Sequence, residues 1–374
     1  MRRSALPSVV AVGLLDAGAN GPFAPATTQG RQQRRRMRSF AVLELRGPAG
    51  EPVDLRRTLL SHGAAALPPA ALDEGACELT VTLPAGDGPR TVRISGGPAA
   101  SGGPPPRGAR RRGRGGPAAA LLSLADAGAP PSTGEAAALS AAARRLLCLD
   151  DDLSGFYARA AADPDLAWAC AGAGRMLRST TVFEDVVKTV CTTNCAWSAT
   201  ERMVGALVEH LGEPAPGAPS GSPAGRAFPT ALRMAETDEG FYREVARAGY
   251  RGPRLRALAL AVAAGELDLE PLFTASPAEL PDDEVERRLL ELPGVGPYAA
   301  AHVMMLAGRH SRLVLDSWTR PKYARLMGKP PGRLVADRAI GRRFSAYGAH
   351  AGLAFWLFVT RDWVDEPSAE RPPA

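Results

Sequence analysis

Apolar and polar residues alternate in three early stretches, Phe40–Leu45, Glu78–Leu83 and Arg90–Ile94, as they do in strands buried on one face. Asp87-Gly88, between the last two, is a hairpin turn signal. Leu55–His62, stopped by Gly63, predicts a short helix. Residues 38–95 therefore predict a small α+β unit with an antiparallel sheet. Residues 96–136 are rich in Gly and Pro with an Arg cluster and no period, and predict a disordered linker. From 137 to 366 the pattern is almost wholly helical, broken by a Pro-, Gly- and Ser-rich loop at 212–225. Residues 1–37 and 367–374 lack periodicity and predict a disordered extension and tail.

The clearest local pattern lies late in the chain. Leu280–Glu291 predicts a helix capped by Asp282 or Asp283, acidic in its first turn, with Val285, Leu289 and Leu290 on one face. Pro293 and Gly294 stop it. Pro297 suits the first turn of a second helix, where its missing N–H would lack a partner anyway. That helix runs through Tyr298–Ala307 and ends at Gly308. Leu313-Val-Leu315 is short, apolar and extended, and Asp316 follows it. The run Ala351–Phe358 predicts an apolar helix whose Phe355, Trp356 and Phe358 are mostly core.

Composition narrows the picture less than net charge suggests. The chain has 374 residues and a formal charge of +6, enough length for two domains and a sizeable core. Residues 1–38 carry seven Arg and one Asp, which is the whole +6; the remainder balances at 38 against 38. A nucleic-acid partner would have to be held by a local patch and by backbone donors rather than by global charge. Five scattered cysteines suggest a reducing compartment without a disulfide framework. Cys191 and Cys195 lack further Cys or His nearby, so no metal site is expected there. Arg2-Arg3 before Ala5–Leu15 faintly imitates a signal peptide, but Pro7 and Asp16 break the pattern. No stretch is apolar and long enough to span a membrane.

The two helices joined at Gly294-Val295-Gly296 can aim bare backbone N–H groups at a phosphate. Asp316, a fixed distance downstream, reads locally as a helix N-cap. The same carboxylate, held rigid and ionised by a helix N-terminus, also suits a reaction that develops positive charge at a sugar's anomeric carbon. Together they point to chemistry at one nucleotide of a strand held by its backbone.

Leu292-Pro-Gly-Val-Gly296 with Asp316 resembles the helix-hairpin-helix DNA glycosylases, the superfamily of 3-methyladenine glycosylase II and 8-oxoguanine glycosylase. Phe183–Asn194, ending in Cys191-Thr-Thr-Asn194, resembles the family's first core helix and the loop that enters DNA. Ala248-Gly-Tyr-Arg251 resembles a second probing loop, and Tyr347–Ala354 the C-terminal pocket helix. The resemblance covers about residues 140–365, more weakly 38–95. It implies a mainly α fold: a helix-hairpin-helix core of two helical subdomains, preceded by the small antiparallel-sheet domain. It also suggests that the family's sheet domain normally continues where the linker is predicted, so that a strand is missing or replaced.

The resemblance further implies site residues. Asp316 would be the catalytic carboxylate, and Gly294, Val295 and Gly296 the DNA-gripping hairpin. Asn194 would fill the gap left by an extruded nucleotide, although Asn also suits a helix C-cap. Tyr250 would wedge the stack, and Arg251 would contact the unpaired base or a phosphate; the alternatives are a surface aromatic and a solvated charge. Tyr298, Trp318 and Phe355 would line the base pocket, with His302 either there or structural. The implied substrate is an alkylated or oxidised purine; Phe355 falls where 8-oxoguanine enzymes present a Gln, which favours the alkylated one, stacked on aromatic faces.

Tyr298 occupies the position of the Lys nucleophile in bifunctional relatives, implying a monofunctional enzyme that leaves an abasic site. The expected partner is duplex DNA with a damaged base, with no membrane, acted on by a monomer in a cytoplasmic, nucleoid-associated setting. No cofactor is expected: no Cys follows Cys195, so the four-Cys iron–sulfur loop of some relatives is absent, and a monovalent cation at the hairpin is the one ion implied. A non-catalytic helix-hairpin-helix DNA-binding protein and a glycosylase-lyase are the alternatives.

Overall fold

The computed structural model describes residues 39–97 and 118–364. The predicted extension 1–37, the tail 367–374 and most of the predicted linker lie outside the described residues. The chain first forms a sheet: β1 (Ala41–Glu44), helix α1 (Leu55–Leu59) with a 3-10 turn at Gly63–Ala66, then β2 (Ala70–Asp73), β3 (Glu78–Leu83), β4 (Arg90–Gly97) and β5 (Ala119–Leu124). The strand order is β1-β5-β4-β3-β2 with every neighbour antiparallel.

The predicted linker is corrected at both ends. Its first two residues extend β4, and Ala119–Leu124 inserts between β1 and β4, pairing Leu122 with both Ala41 and Ile94. The strand expected to be missing or replaced is therefore present as β5. A central strand covered on both faces does not alternate: Ala119, Ala120, Leu122 and Ser123 are all buried. Helix α2 (Thr133–Leu146) then starts inside the predicted linker, with a capping box in which Ser132 and Glu135 satisfy each other's backbone N–H groups. Leu139, Ala143 and Leu146 of α2 close the sheet's core with Leu79, Val92, Ile94 and Leu122.

The helical part follows as α3 (Ser154–Ala160), α4 (Val182–Thr192), α5 (Trp197–Leu211), α6 (Ala231–Ala235), a π-turn at Phe241–Val245, α7 (Arg251–Ala263), α8 (Pro271–Thr274), α9 (Asp282–Glu291), α10 (Pro297–Leu306), α11 (Thr319–Leu326), α12 (Asp337–Phe344), a 3-10 turn at Ser345–His350 and α13 (Ala351–Thr360). Two apolar cores divide it. One gathers α4, α5, α7 and α9; the other gathers α3, α11, α12 and α13. Helix α10 serves both: Ala299, Ala300, Val303 and Met304 face the first core, and Ala301, Met305 and Leu306 the second. A helix buried all round must be apolar or small all round, which accounts for its Ala- and Met-rich sequence. The mainly α fold with two helical subdomains and a sheet domain is thus observed. No helix among the described residues is long and apolar enough to cross a membrane.

The predicted caps of α9 are corrected. Pro281 is its N-cap, without a side-chain bond. Asp282 instead pairs with Arg309 at 3.1 Å and accepts from Ser311, while Asp283 pairs with Arg312. Arg312 also binds Glu286 at 2.7 Å. These acids tie the first hairpin helix to the extended segment that delivers Asp316.

Candidate active site in the hairpin groove

Helix α4 is buried along its whole length and is capped at its start by Thr181. Its buried polar side chains find partners: Lys188 lies 2.7 Å from Glu184, Asp185 accepts from the Ser179 N–H, and Thr189 meets His302. Such a helix has one free end to offer, and Thr193-Asn194 is where it surfaces. Asn194 adopts a left-handed φ of 48°, a conformation Asn tolerates better than most residues. Thr193 is the C-cap of α4, so Asn194 stands one residue past it as the left-handed stop, and its exposed side chain reaches the Tyr250 hydroxyl at 3.5 Å.

Arg251 is corrected. It is not a solvated charge: it is buried, and its guanidinium donates to the Thr193 carbonyl. Tyr250 is half exposed, with the Arg251 guanidinium 4.5 Å and the Arg254 guanidinium 5.0 Å from its ring centre. Arg251 thus ties the loop after α4 to the loop before α7.

The hairpin turn is closed by Val295 N–H donating to the Leu292 carbonyl at 3.1 Å. Gly294 has φ +89°, and a Cβ there would lie 3.2 Å from both Val190 and Arg254. Gly296 is the N-cap of α10, offers no side-chain cap, and has nothing within 4 Å of a notional Cβ. The first N–H groups of α10 consequently open outward beside a bare backbone. Val295 buries its side chain, so only its backbone can meet a strand.

Asp316 stands across from the hairpin. Its Oδ1 accepts N–H bonds from Trp318 at 2.9 Å and Thr319 at 2.6 Å, and its own N–H donates to Thr319 Oγ1 at 2.8 Å. One carboxylate oxygen is thereby immobilised; Oδ2 has no hydrogen bond among the described residues. A groove of about 900 Å³ is lined by Asp316, Trp318, Tyr298, Asn194, Tyr250 and Gly294-Val295-Gly296. Thr192, Trp197, Arg254 and Arg320 also line it and were not anticipated. Arg254 had a usable signal, one helical turn beyond Tyr250. Trp197 had none, because an aromatic at a helix start is usually core.

Two expected pocket residues lie elsewhere. Phe355 is fully buried against Phe344 and Tyr323, with ring centres 5.6 and 6.1 Å away, and does not reach the groove. His302 is buried behind Tyr298, stacked on it at 6.0 Å and 14°, with Nδ1 3.2 Å from Thr189 Oγ1. Burial pulls His302 down to about 3, with nearby His62 adding to the effect, so it is neutral. Burial pushes the Tyr298 phenol up to about 12; the adjacent Asp316 charge acts in the same direction, and the Thr192 hydroxyl opposes it. Trp318 is backed by Trp363 at 5.2 Å and Trp356 at 6.2 Å, and Trp356 is itself fixed by a 2.9 Å bond to the Ser61 carbonyl. Among the described residues no three His, Cys, Asp or Glu side chains cluster as metal ligands would.

Comparison with known proteins matches the fold. The chain superposes on the 3-methyladenine DNA-glycosylase from Archaeoglobus fulgidus with a TM-score of 0.60 at 17% identity, covering 86% of this chain and 98% of that one. The Clostridium acetobutylicum 8-oxoguanine glycosylase/lyase in its apo-form gives 0.58 at 19% identity over 86% and 99%. The same enzyme bound to double-stranded DNA with cytosine opposite 8-oxoG gives 0.58 at 18% identity over 87% and 99%. No protein-family profile and no curated protein matches the sequence. The chain thus shares its fold with these DNA glycosylases.

Proposed function

On this scaffold, we propose that the protein is a monofunctional DNA glycosylase: it extrudes a damaged base from a duplex and hydrolyses the N-glycosidic bond. The observation that carries the reading is Asp316. Two backbone N–H groups hold one of its oxygens and leave the other without a hydrogen bond among the described residues, in a groove whose far wall is the Gly294-Val295-Gly296 hairpin. An extruded nucleotide gripped at the hairpin would bring its sugar between these walls. The carboxylate would stabilise positive charge developing at the anomeric carbon or orient the attacking water. Asn194 and Tyr250, bonded to each other at the groove's rim, would occupy the gap in the stack.

The lysines support the monofunctional form. Lys188 is buried in its pair with Glu184, Lys322 is buried and bonded to Asp362 at 2.5 Å, and the third lysine, Lys329, is exposed but does not line the groove, so none is placed to attack a sugar there. Tyr298 in the groove is neutral and a poor nucleophile. Trp318, rigidly backed by two tryptophans, offers an aromatic face that suits an electron-poor alkylated purine; an oxidised purine is the second choice. The hydrolysis uses only side chains and water, on duplex DNA, by a single chain.

The test is incubation with duplexes carrying single lesions, followed by alkali. Base release with strand cleavage only after alkali supports the proposal. Cleavage before alkali would mean a glycosylase-lyase, and binding without base release a non-catalytic DNA-binding protein.

A further inference from the structure

Formal charge is distributed very unevenly over the described residues. Residues 319–343 carry eight cationic side chains and one carboxylate, net +7. The other described residues carry 24 against 34, net −10. This segment begins at the groove. Arg320 lines it and makes a two-pronged pair with Asp337, both contacts 2.8 Å, which fixes the first turn of α12 beside the first turn of α11. Helix α11 then runs eight residues, about 12 Å, away from that point. It delivers Arg325, and the following Gly/Pro loop presents Lys329 and Arg333 before α12 adds Arg338 and Arg342. All five are exposed. None has a carboxylate within ion-pair distance among the described residues, whereas Arg320, Lys322 and Arg343 are paired.

Five exposed cations close in sequence, without ion-pair partners among the described residues, repel one another, so the arrangement favours a polyanion. Its reach favours one of regular spacing: about 12 Å is roughly three to four base-pair steps at ~3.4 Å each. Resting on the glycosylase reading above, we propose that Arg325, Lys329 and Arg333 form a second phosphate-binding surface, gripping the DNA backbone on the flank beyond the extruded nucleotide. The hairpin fixes the reacting nucleotide, and this surface supplies salt-sensitive, sequence-independent affinity that the acidic remainder of the fold lacks.

The experiment measures binding by fluorescence anisotropy across a salt series. It compares wild type with R325Q/K329Q/R333Q on a duplex extending a full helical turn either side of a central abasic-site analogue. A second duplex ends just beyond that site. On the long duplex, the slope of log affinity against log salt should become shallower in the variant by about 0.9 for each lost contact. On the short duplex the two proteins should behave alike. R325K/R333K should keep the wild-type slope, and thermal melting should be unchanged in every variant. Equal slopes for wild type and the triple variant on the long duplex would overturn the proposal. Should wild type neither bind the long duplex nor release a base, the glycosylase reading itself fails, a result distinct from loss of the length dependence alone.

Discussion

Asp316 and Thr319 cap one another: the Asp316 N–H donates to the Thr319 hydroxyl at 2.8 Å, and the Thr319 N–H donates back to Asp316 Oδ1 at 2.6 Å. The structural role and the proposed chemical role therefore share one carboxylate. Thr319→Val removes the hydroxyl but leaves the N–H. It should lower stability by about 1 kcal/mol, within the range for a lost cap, and reduce excision only partly, while Thr319→Ser should restore both. Urea melts and single-turnover rates check this.

Arg251 and Asn194 should separate cleanly. Arg251→Ala removes the buried donor to the Thr193 carbonyl and should destabilise the fold by ~1–3 kcal/mol, weakening DNA binding through the displaced loop. Asn194→Gly keeps the left-handed backbone, removes only an exposed side chain, and should leave melting nearly unchanged while lowering affinity for lesion duplexes. Equal destabilisation by both would contradict the placement of Arg251 inside the fold.

Phe355→Ala should cost about 3–5 kcal/mol of stability, as expected for emptying an aromatic core position, without altering the choice among lesions that fold-competent variants show. Trp318→Ala should do the reverse, changing relative kcat/KM between neutral and cationic lesions more than it changes melting. A lesion panel with parallel denaturation curves distinguishes them.

The buried histidines predict an acid limb of instability. The folded pKa of His302 is lowered to about 3 and that of His62 to about 4, from ordinary values near 6.5, burial being the main cause. Their contributions are complete above about 6.5 and are lost as pH falls toward 3–4. Asp185 acts oppositely: burial raises it to about 7, so its contribution is present below its ordinary range and lost as pH rises through 7. The two effects offset each other between about 4 and 6.5. A His302→Phe variant isolates one of them, and its stability should fall less steeply with acid than wild type, by up to ~1.4 kcal/mol per pH unit. Denaturant midpoints across that window provide the check.

The hairpin, Asp316 and both subdomains were legible in the chain because each rests on a local rule: Gly and Pro punctuation, helical period, a carboxylate before a helix. Strand β5 was not, since a strand covered on both faces and made largely of Ala and Leu shows no alternation and merges with its Gly- and Pro-rich approach. Phe355 and Arg251 were misplaced for a related reason. Which face of an apolar helix meets the groove, and which arginine of a loop turns inward, are set by contacts across 58 residues for Arg251–Thr193 and by packing against α11 and α12 for Phe355. Trp318 gained its rigid backing from Trp363, distant in sequence, which no local pattern announces.

The most direct measurement is the single-turnover rate of base release by Asp316→Asn on a duplex carrying an excisable lesion, with affinity for an abasic-site analogue measured alongside. Asn keeps an oxygen for the two backbone N–H groups but removes the charge, so the account predicts a rate loss of about a hundredfold or more, the scale of one lost electrostatic stabiliser, with DNA binding retained. A variant that releases base at the wild-type rate would contradict it.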